Sequence, residues 1–233
     1  MKKSRVIQLT PTLSYGDAVS NDVIAMNEVL TKMGYENYIV ATGIAKKVQG
    51  LAINTSKFTS KPDDIFIYHM SIGNDMSEYV YNSNVKRKIM VYHNITPAEF
   101  FDGNSPLSVG CRQGRNELKK LAECTDFALC DSDYNKAELD ELGYRSTATL
   151  PIVFDKTEYL STEPSQELLQ KYKDDGYTNI LFVGRIAPNK KQQDIIHSFH
   201  LYHKYINPKS RLFLVGAVVA TEKYMEGIKT YIE

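Results

Sequence analysis

The stretch 181–196, LFVGRIAPNKKQQDII, decides how the chain folds. Leu181, Phe182 and Val183 complete an apolar run, Gly184 turns the chain, and a helical pattern follows Asn189. Arg185 and Lys190 stand between the two, just past the turn. A strand running through a short loop into a helix is the repeating unit of a parallel α/β fold, and that junction is where such folds bind anions. Arg185 is permanently charged and can hold phosphate through two parallel hydrogen bonds. Lys190 adds a mobile point charge, and the helix that follows adds its positive end. The composition is that of a diphosphate clamp.

The same alternation extends outward through nearly the whole sequence. Apolar runs predict strands over Arg5–Thr10, Glu36–Ala41, Asp64–His69, Lys88–His93, Phe127–Asp131 and Ser146–Leu150, then Asn179–Gly184 and Arg211–Val215. Between the first two, Val19, Val23, Met26, Leu30 and Met33 recur at helical spacing and Gly34 supplies the stop. Ile195, Phe199, Tyr202 and Ile206 repeat that pattern ahead of Pro208. Ser132 is placed to cap a helix that Gly143 ends, and a longer helix carrying Leu118 and Leu121 begins near Pro106. Strands alternating with helices predict an α/β fold with a parallel sheet covered on both faces. The polar segment after Pro151–Asp155 has no strand pattern and room for one short helix. The expected organisation is a Rossmann-like domain over 1–155, a linker over 156–178, and the incomplete start of a second Rossmann-like domain over 179–233. With only two strands, the second domain buries its faces poorly, which leaves self-association through it open.

The bulk properties narrow the function. The chain has 233 residues, 28 basic and 28 acidic, so its formal charge is zero. Nucleic-acid binders carry a basic excess, and none is present. The three cysteines, Cys111, Cys124 and Cys130, show no CxxC spacing and read as free thiols of a reducing compartment. The N-terminus lacks the apolar core of a signal peptide, and no run approaches the roughly 20 apolar residues of a membrane span. The expected location is the cytoplasm. Lys86, Arg87 and Lys88 leave peripheral contact with the inner face of the membrane open, although a solvated loop before a strand explains them equally well.

In a parallel sheet, function is sought in the loops after the strands. The first, TPTLSYGDAVSND (10–22), carries Gly16 and Asp17 at the entry to a helix, where backbone N–H groups can meet phosphate. No GxGxxG and no GxxxxGK[ST] occurs, which disfavours a dinucleotide and excludes a P-loop. The loop VYHNITPAEFF (91–101) places His93 and Asn94 at a strand end, and His69 ends the preceding strand in the same way. His197, His200 and His203 share one helix at i, i+3 spacing and read as a surface stripe. No zinc-ligand spacing or Ser–His–Asp order is visible, so no metal is expected.

Taken together, these pieces resemble the retaining, nucleotide-sugar-dependent glycosyltransferases of family 4, which have the two-Rossmann GT-B architecture. FVGRIAPNKKQQDII looks like that family's strand–GR–x4–K–helix signature, and CDSDYNKAELDELGY followed by LPIVFD is similar to the end of its N-terminal domain. YHNITP resembles its histidine loop, while GDAVSND and CRQGRNELKKLAE fit one subgroup. The resemblance implies that Gly16, Arg185 and Lys190 bind the donor diphosphate and that Arg185 and Lys190 stabilise the leaving group. It implies that His93 faces the transferring sugar, with Asp17, His69 and Asn94 as acceptor-side or sugar-side candidates. The partners implied are a nucleotide-diphospho-sugar and a surface-glycan or lipid-linked acceptor. It further implies that the anomeric configuration is retained and that no metal or other cofactor is needed. The subgroup points to GDP-mannose as the donor. The family's later Glu–x7–Glu element has no counterpart before Glu233. The chain is therefore expected to be a fragment that transfers no sugar alone. The alternatives are a natural half-protein that binds acceptor or pairs with a separate donor-domain chain, and an unrelated Rossmann-like protein such as an epimerase.

Overall fold

The computed structural model describes residues 4–153, 160–218 and 221–232. Phe154 and Asp155 of the PIVFD segment, and the linker start at 156–159, lie outside the described residues. The chain divides into two compact units, Met1–Ala98 with Ser108–Lys156 and Glu99–Leu107 with Thr157–Glu233.

The first unit is a seven-stranded sheet in the order β3-β2-β1-β4-β5-β6-β7, parallel throughout. Its strands are β1 (Val6–Leu13), β2 (Asn37–Ile44), β3 (Ala52–Asn54), β4 (Ile65–Met70), β5 (Arg87–Tyr92), β6 (Phe127–Cys130) and β7 (Thr147–Thr149). Its helices are α1 (Ala18–Lys32), α2 (Asp75–Asn82), α3 (Pro106–Leu121) and α4 (Asp133–Glu141). Val6 to Thr10 are buried without interruption, which a strand achieves only when both faces of its sheet are covered. Val23 of α1 packs with Leu13, Ile39, Ala41 and Val48, and Met26 and Leu30 pack against Val6, Ile67 and Val91.

The helix boundaries follow local chemistry. Asp17 caps α1 by accepting from the Ser20 amide at 3.0 Å, and Gly34 ends it at φ 75°. Ser132 caps α4 through the Asn135 amide at 3.3 Å, and Gly143 follows that helix at φ 84°. Left-handed backbone of this kind favours glycine. Met33 lies just outside α1 and is exposed.

The strands depart from the sequence reading in several places. β1 runs on through Pro11 to Leu13. Pro has no N–H, but β1 pairs with β4 only from Val6 to Leu9, and beyond that it keeps β2 alone as a partner. β3 was not expected at all, because three residues are too few to show alternation.

The order of the strands sets the site. The chain moves from β1 outward to β3 and returns on the other side of β1 as β4. The topological switch therefore lies between the carboxyl ends of β1 and β4, where open α/β sheets bind ligands.

The second unit contains α5 (Gln166–Tyr172), β8 (Thr178–Val183), α6 (Gln192–Tyr205), β9 (Ser210–Val215) and α7 (Glu222–Ile232). β8 and β9 are parallel, in register from Thr178 opposite Ser210 to Val183 opposite Val215. Ile180 and Leu212 face Ile195, Phe199 and Tyr202 of α6 across an apolar pocket. Leu181, Val183 and Val215 are at least half exposed, as expected where only one side of a two-stranded sheet is covered.

Candidate active site

The carboxyl edge of the first unit gathers residues that are distant in sequence. The loop after β1 closes on itself: the Ser14 amide donates to Ser20 Oγ at 2.9 Å, and Ser20 Oγ donates to Asp17 Oδ2 at 2.9 Å. Gly16 sits in that loop at φ 80° with open space where a Cβ would be. Asp17 is exposed, but its carboxylate is committed to capping α1. Asn94 is exposed and left-handed at φ 68°, with its side chain turned back on the Ile95 amide at 2.8 Å.

His69 and His93 meet beside the switch point. His69 is the penultimate residue of β4 and is wholly buried, which removes it from direct ligand contact. His93 follows β5, and its amide donates to the Met70 carbonyl at 2.9 Å, continuing the ladder between these strands. The two rings lie nearly parallel, with His69 Nδ1 2.9 Å from His93 Nε2. His69 Nε2 reaches Gln8 Oε1 of β1 at 3.0 Å, and His93 Nδ1 reaches Asp131 Oδ2 after β6 at 3.0 Å. The His93 side chain is itself only 1% exposed. Burial, reinforced by the neighbouring His93, pushes the His69 imidazole well below its ordinary value, so His69 is neutral.

Asp22 of α1 is a further acid at this edge. It is buried and accepts from the Val153 amide at 2.7 Å, tying α1 to the segment after β7. Burial raises its carboxyl above the ordinary range, while the Val153 bond and His93 pull it back. Asp22, His69 and His93 each offer a ligand atom within 4.8 Å of the others. Two nitrogens on a tetrahedral zinc stand about 3.3 Å apart. The His69–His93 separation of 2.9 Å is shorter and is that of a hydrogen bond.

In the second unit the opening stretch forms a pinned loop. Gly184 N–H donates to the Val215 carbonyl at 2.9 Å and Ile186 N–H to the Ala217 carbonyl at 3.0 Å. The Arg185 carbonyl is held by Gln192 Nε2 at 2.9 Å, and the Ile186 carbonyl by Thr221 Oγ1 at 2.5 Å. Ile186 and Ala187 are buried as anchors. The side chains of Arg185 and Lys190 are left exposed, and among the described residues neither forms an ion pair. A short 3-10 turn over Pro188–Lys190 and the left-handed Lys191 precede α6, so the helix starts at Gln192, two residues later than the pattern suggests. His197, His200 and His203 are exposed on α6.

Gln8, Asp22, Asp131, Gln192 and Gly216 were not singled out from the sequence. Gln8 carried a usable signal, a lone amide in the buried run VIQLT. Gly216 carried none: a Cβ there would lie 1.8 Å from the Gly184 carbonyl oxygen, a contact between residues far apart in the chain.

No family model matches the sequence, and no curated protein does. Solved structures do match. Anabaena HepE, in a complex with UDP and glucose, superposes with a TM-score of 0.67 at 13% identity, over 97% of this chain and 65% of that one. A trehalose-phosphate synthase from Burkholderia vietnamiensis gives 0.63 at 12%, over 98% and 68%. An α-glucosyltransferase bound to UDP and DNA gives 0.61 at 14%, over 99% and 61%. The chain thus spans roughly two thirds or less of the first of these structures. At such identities the likeness concerns the fold alone: a parallel-sheet, Rossmann-like α/β fold that this chain shares with these structures.

Proposed function

We propose that the chain belongs to a glycosyltransferase that moves a hexose from a nucleotide-diphospho-sugar to a surface-glycan or lipid-linked acceptor, with retention of configuration. The pinned Arg185 loop carries this reading. Its backbone is fixed by four hydrogen bonds, while two cations stand exposed and without ion pairs among the described residues. Such preorganised charge stabilises a diphosphate leaving group without reorganising as the glycosidic bond breaks. Gly16 offers backbone N–H groups to phosphate, and its open surroundings leave room for a ligand. His93, its side chain buried at the switch point, serves the sugar side without touching it. The UDP named in the similar structures supports a nucleoside diphosphate donor, and UDP-glucose and GDP-mannose are the donors to try first.

Among the described residues no helix is long and apolar enough to cross a membrane.

The test is transfer by the complete gene product. Arg185→Ala with Lys190→Ala is expected to lower turnover by about 100-fold or more, the usual cost of one lost charge-stabilising donor. Undiminished turnover in a folded double variant would overturn the assignment.

A further inference from the structure

The buried chain running from Val23 through Gln8, His69 and His93 to Asp131 has a fixed direction. The Val23 carbonyl can only accept, so the group of Gln8 that faces it at 3.0 Å is the amide nitrogen. Gln8 Oε1 then faces His69 Nε2 at 3.0 Å and also can only accept. His69 must therefore carry its proton on Nε2. Being neutral, it has a lone pair on Nδ1. His93 Nε2, 2.9 Å from that lone pair, must donate. The second nitrogen of His93 lies 3.0 Å from Asp131 Oδ2. One proton must occupy that gap as well, because two lone pairs facing each other at that distance repel, and of the two groups imidazole is the stronger base. The remaining charged group facing the pair is Asp22 on α1, whose carboxylate complements a cation.

We propose that Gln8 and His69 are positioning residues that, with Asp131, hold His93 with a proton on each ring nitrogen, so that His93 serves as a fixed cation and not as a proton acceptor. The part of this concerning catalysis rests on the proposed glycosyl transfer; the protonation pattern does not. With both nitrogens committed and the side chain almost fully buried, His93 has no lone pair to offer a substrate hydroxyl. Its contribution is then electrostatic, and deprotonation of the acceptor falls to another group.

The experiment is 15N NMR of the histidine-labelled 233-residue chain at pH 7, with His93 signals assigned by loss in His93→Gln. The expected spectrum shows N–H protons on both ring nitrogens of His93 and on one nitrogen of His69. Gln8→Met removes the acceptor that fixes His69, which lets that ring switch tautomer, and His93 is expected to drop to one N–H. Gln8→Glu, as the neutral acid whose O–H takes the amide's place toward the Val23 carbonyl, restores an acceptor for His69 Nε2 and is expected to restore the second N–H. A single N–H on His93 in the unmodified chain would overturn the proposal, and that reading stands even if Gln8→Met fails to fold. An unchanged pattern in folded Gln8→Met would overturn the role of Gln8. A complete gene product that transfers no sugar while His93 keeps both protons would overturn the functional reading alone.

Discussion

Gly216→Ala is a one-methyl change that should disable the Arg185 loop from outside it. A Cβ at 216 would stand 1.8 Å from the Gly184 carbonyl oxygen, 2.6 Å from its carbon and 3.3 Å from the Arg185 nitrogen. The obstacles are backbone atoms, so no side chain can swing away, and the ends of β8 and β9 must part. Parting them breaks or stretches the bonds from Gly184 to Val215 and from Ile186 to Ala217. Two backbone hydrogen bonds are worth about 1–3 kcal/mol together, and forcing extra volume into a filled site costs about 1–3 kcal/mol more. The expected loss is about 2–6 kcal/mol, local to this loop. Amide hydrogen exchange measures it directly: protection at Gly184 and Ile186 should fall by about thirtyfold or more, since each 1.4 kcal/mol is a factor of ten. Gly227→Ala is the control, because nothing lies within 4 Å of a Cβ there and the site is an exposed interior position of α7, where alanine stabilises by about 1 kcal/mol. If both variants leave Gly184 and Ile186 equally protected, the account of how the loop is held is wrong.

Two further outcomes test the first unit. A Cβ on Gly73 would lie 2.4 Å from the Gly114 amide nitrogen, where the loop after β4 crosses α3, so Gly73→Ala should lower stability in urea by about 1–3 kcal/mol; a variant as stable as the parent would contradict that packing. His69 titrates below its ordinary value because it is buried, so the unfolded chain takes up the proton first. The stability it contributes is complete above about pH 6.5 and is lost as pH falls below that, by up to about 1.4 kcal/mol per pH unit. His69→Gln should flatten that slope relative to the parent, and parallel stability curves would show that His69 is not held neutral.

Most of the fold was legible because it rests on local signals. The apolar runs found β1, β2 and β4 to β9 within a few residues, and the caps at Ser132, Gly34 and Gly143 lie where their chemistry demands. The extension of β1 past Thr10 was not legible, because whether a strand tolerates Pro11 depends on whether a partner strand needs its N–H, and that is decided by where β4 stops pairing. The candidate site was legible only in part. His69 and His93 each stand at a strand end, but that they bond to one another follows from the adjacency of β4 and β5. His69 was expected on the acceptor or sugar side; its complete burial keeps it from touching either. Gln8 and Asp131 join the relay through strand order, which periodicity does not encode.

The central claim is that Arg185 and Lys190 hold a diphosphate. Calorimetric titration of the complete gene product with UDP and with GDP tests it most directly. The account predicts that one of them binds and that Arg185→Ala with Lys190→Ala weakens it at least tenfold, as expected for losing hydrogen bonds to charged groups worth about 1.5–3 kcal/mol each. Equal affinity in the folded double variant would contradict it.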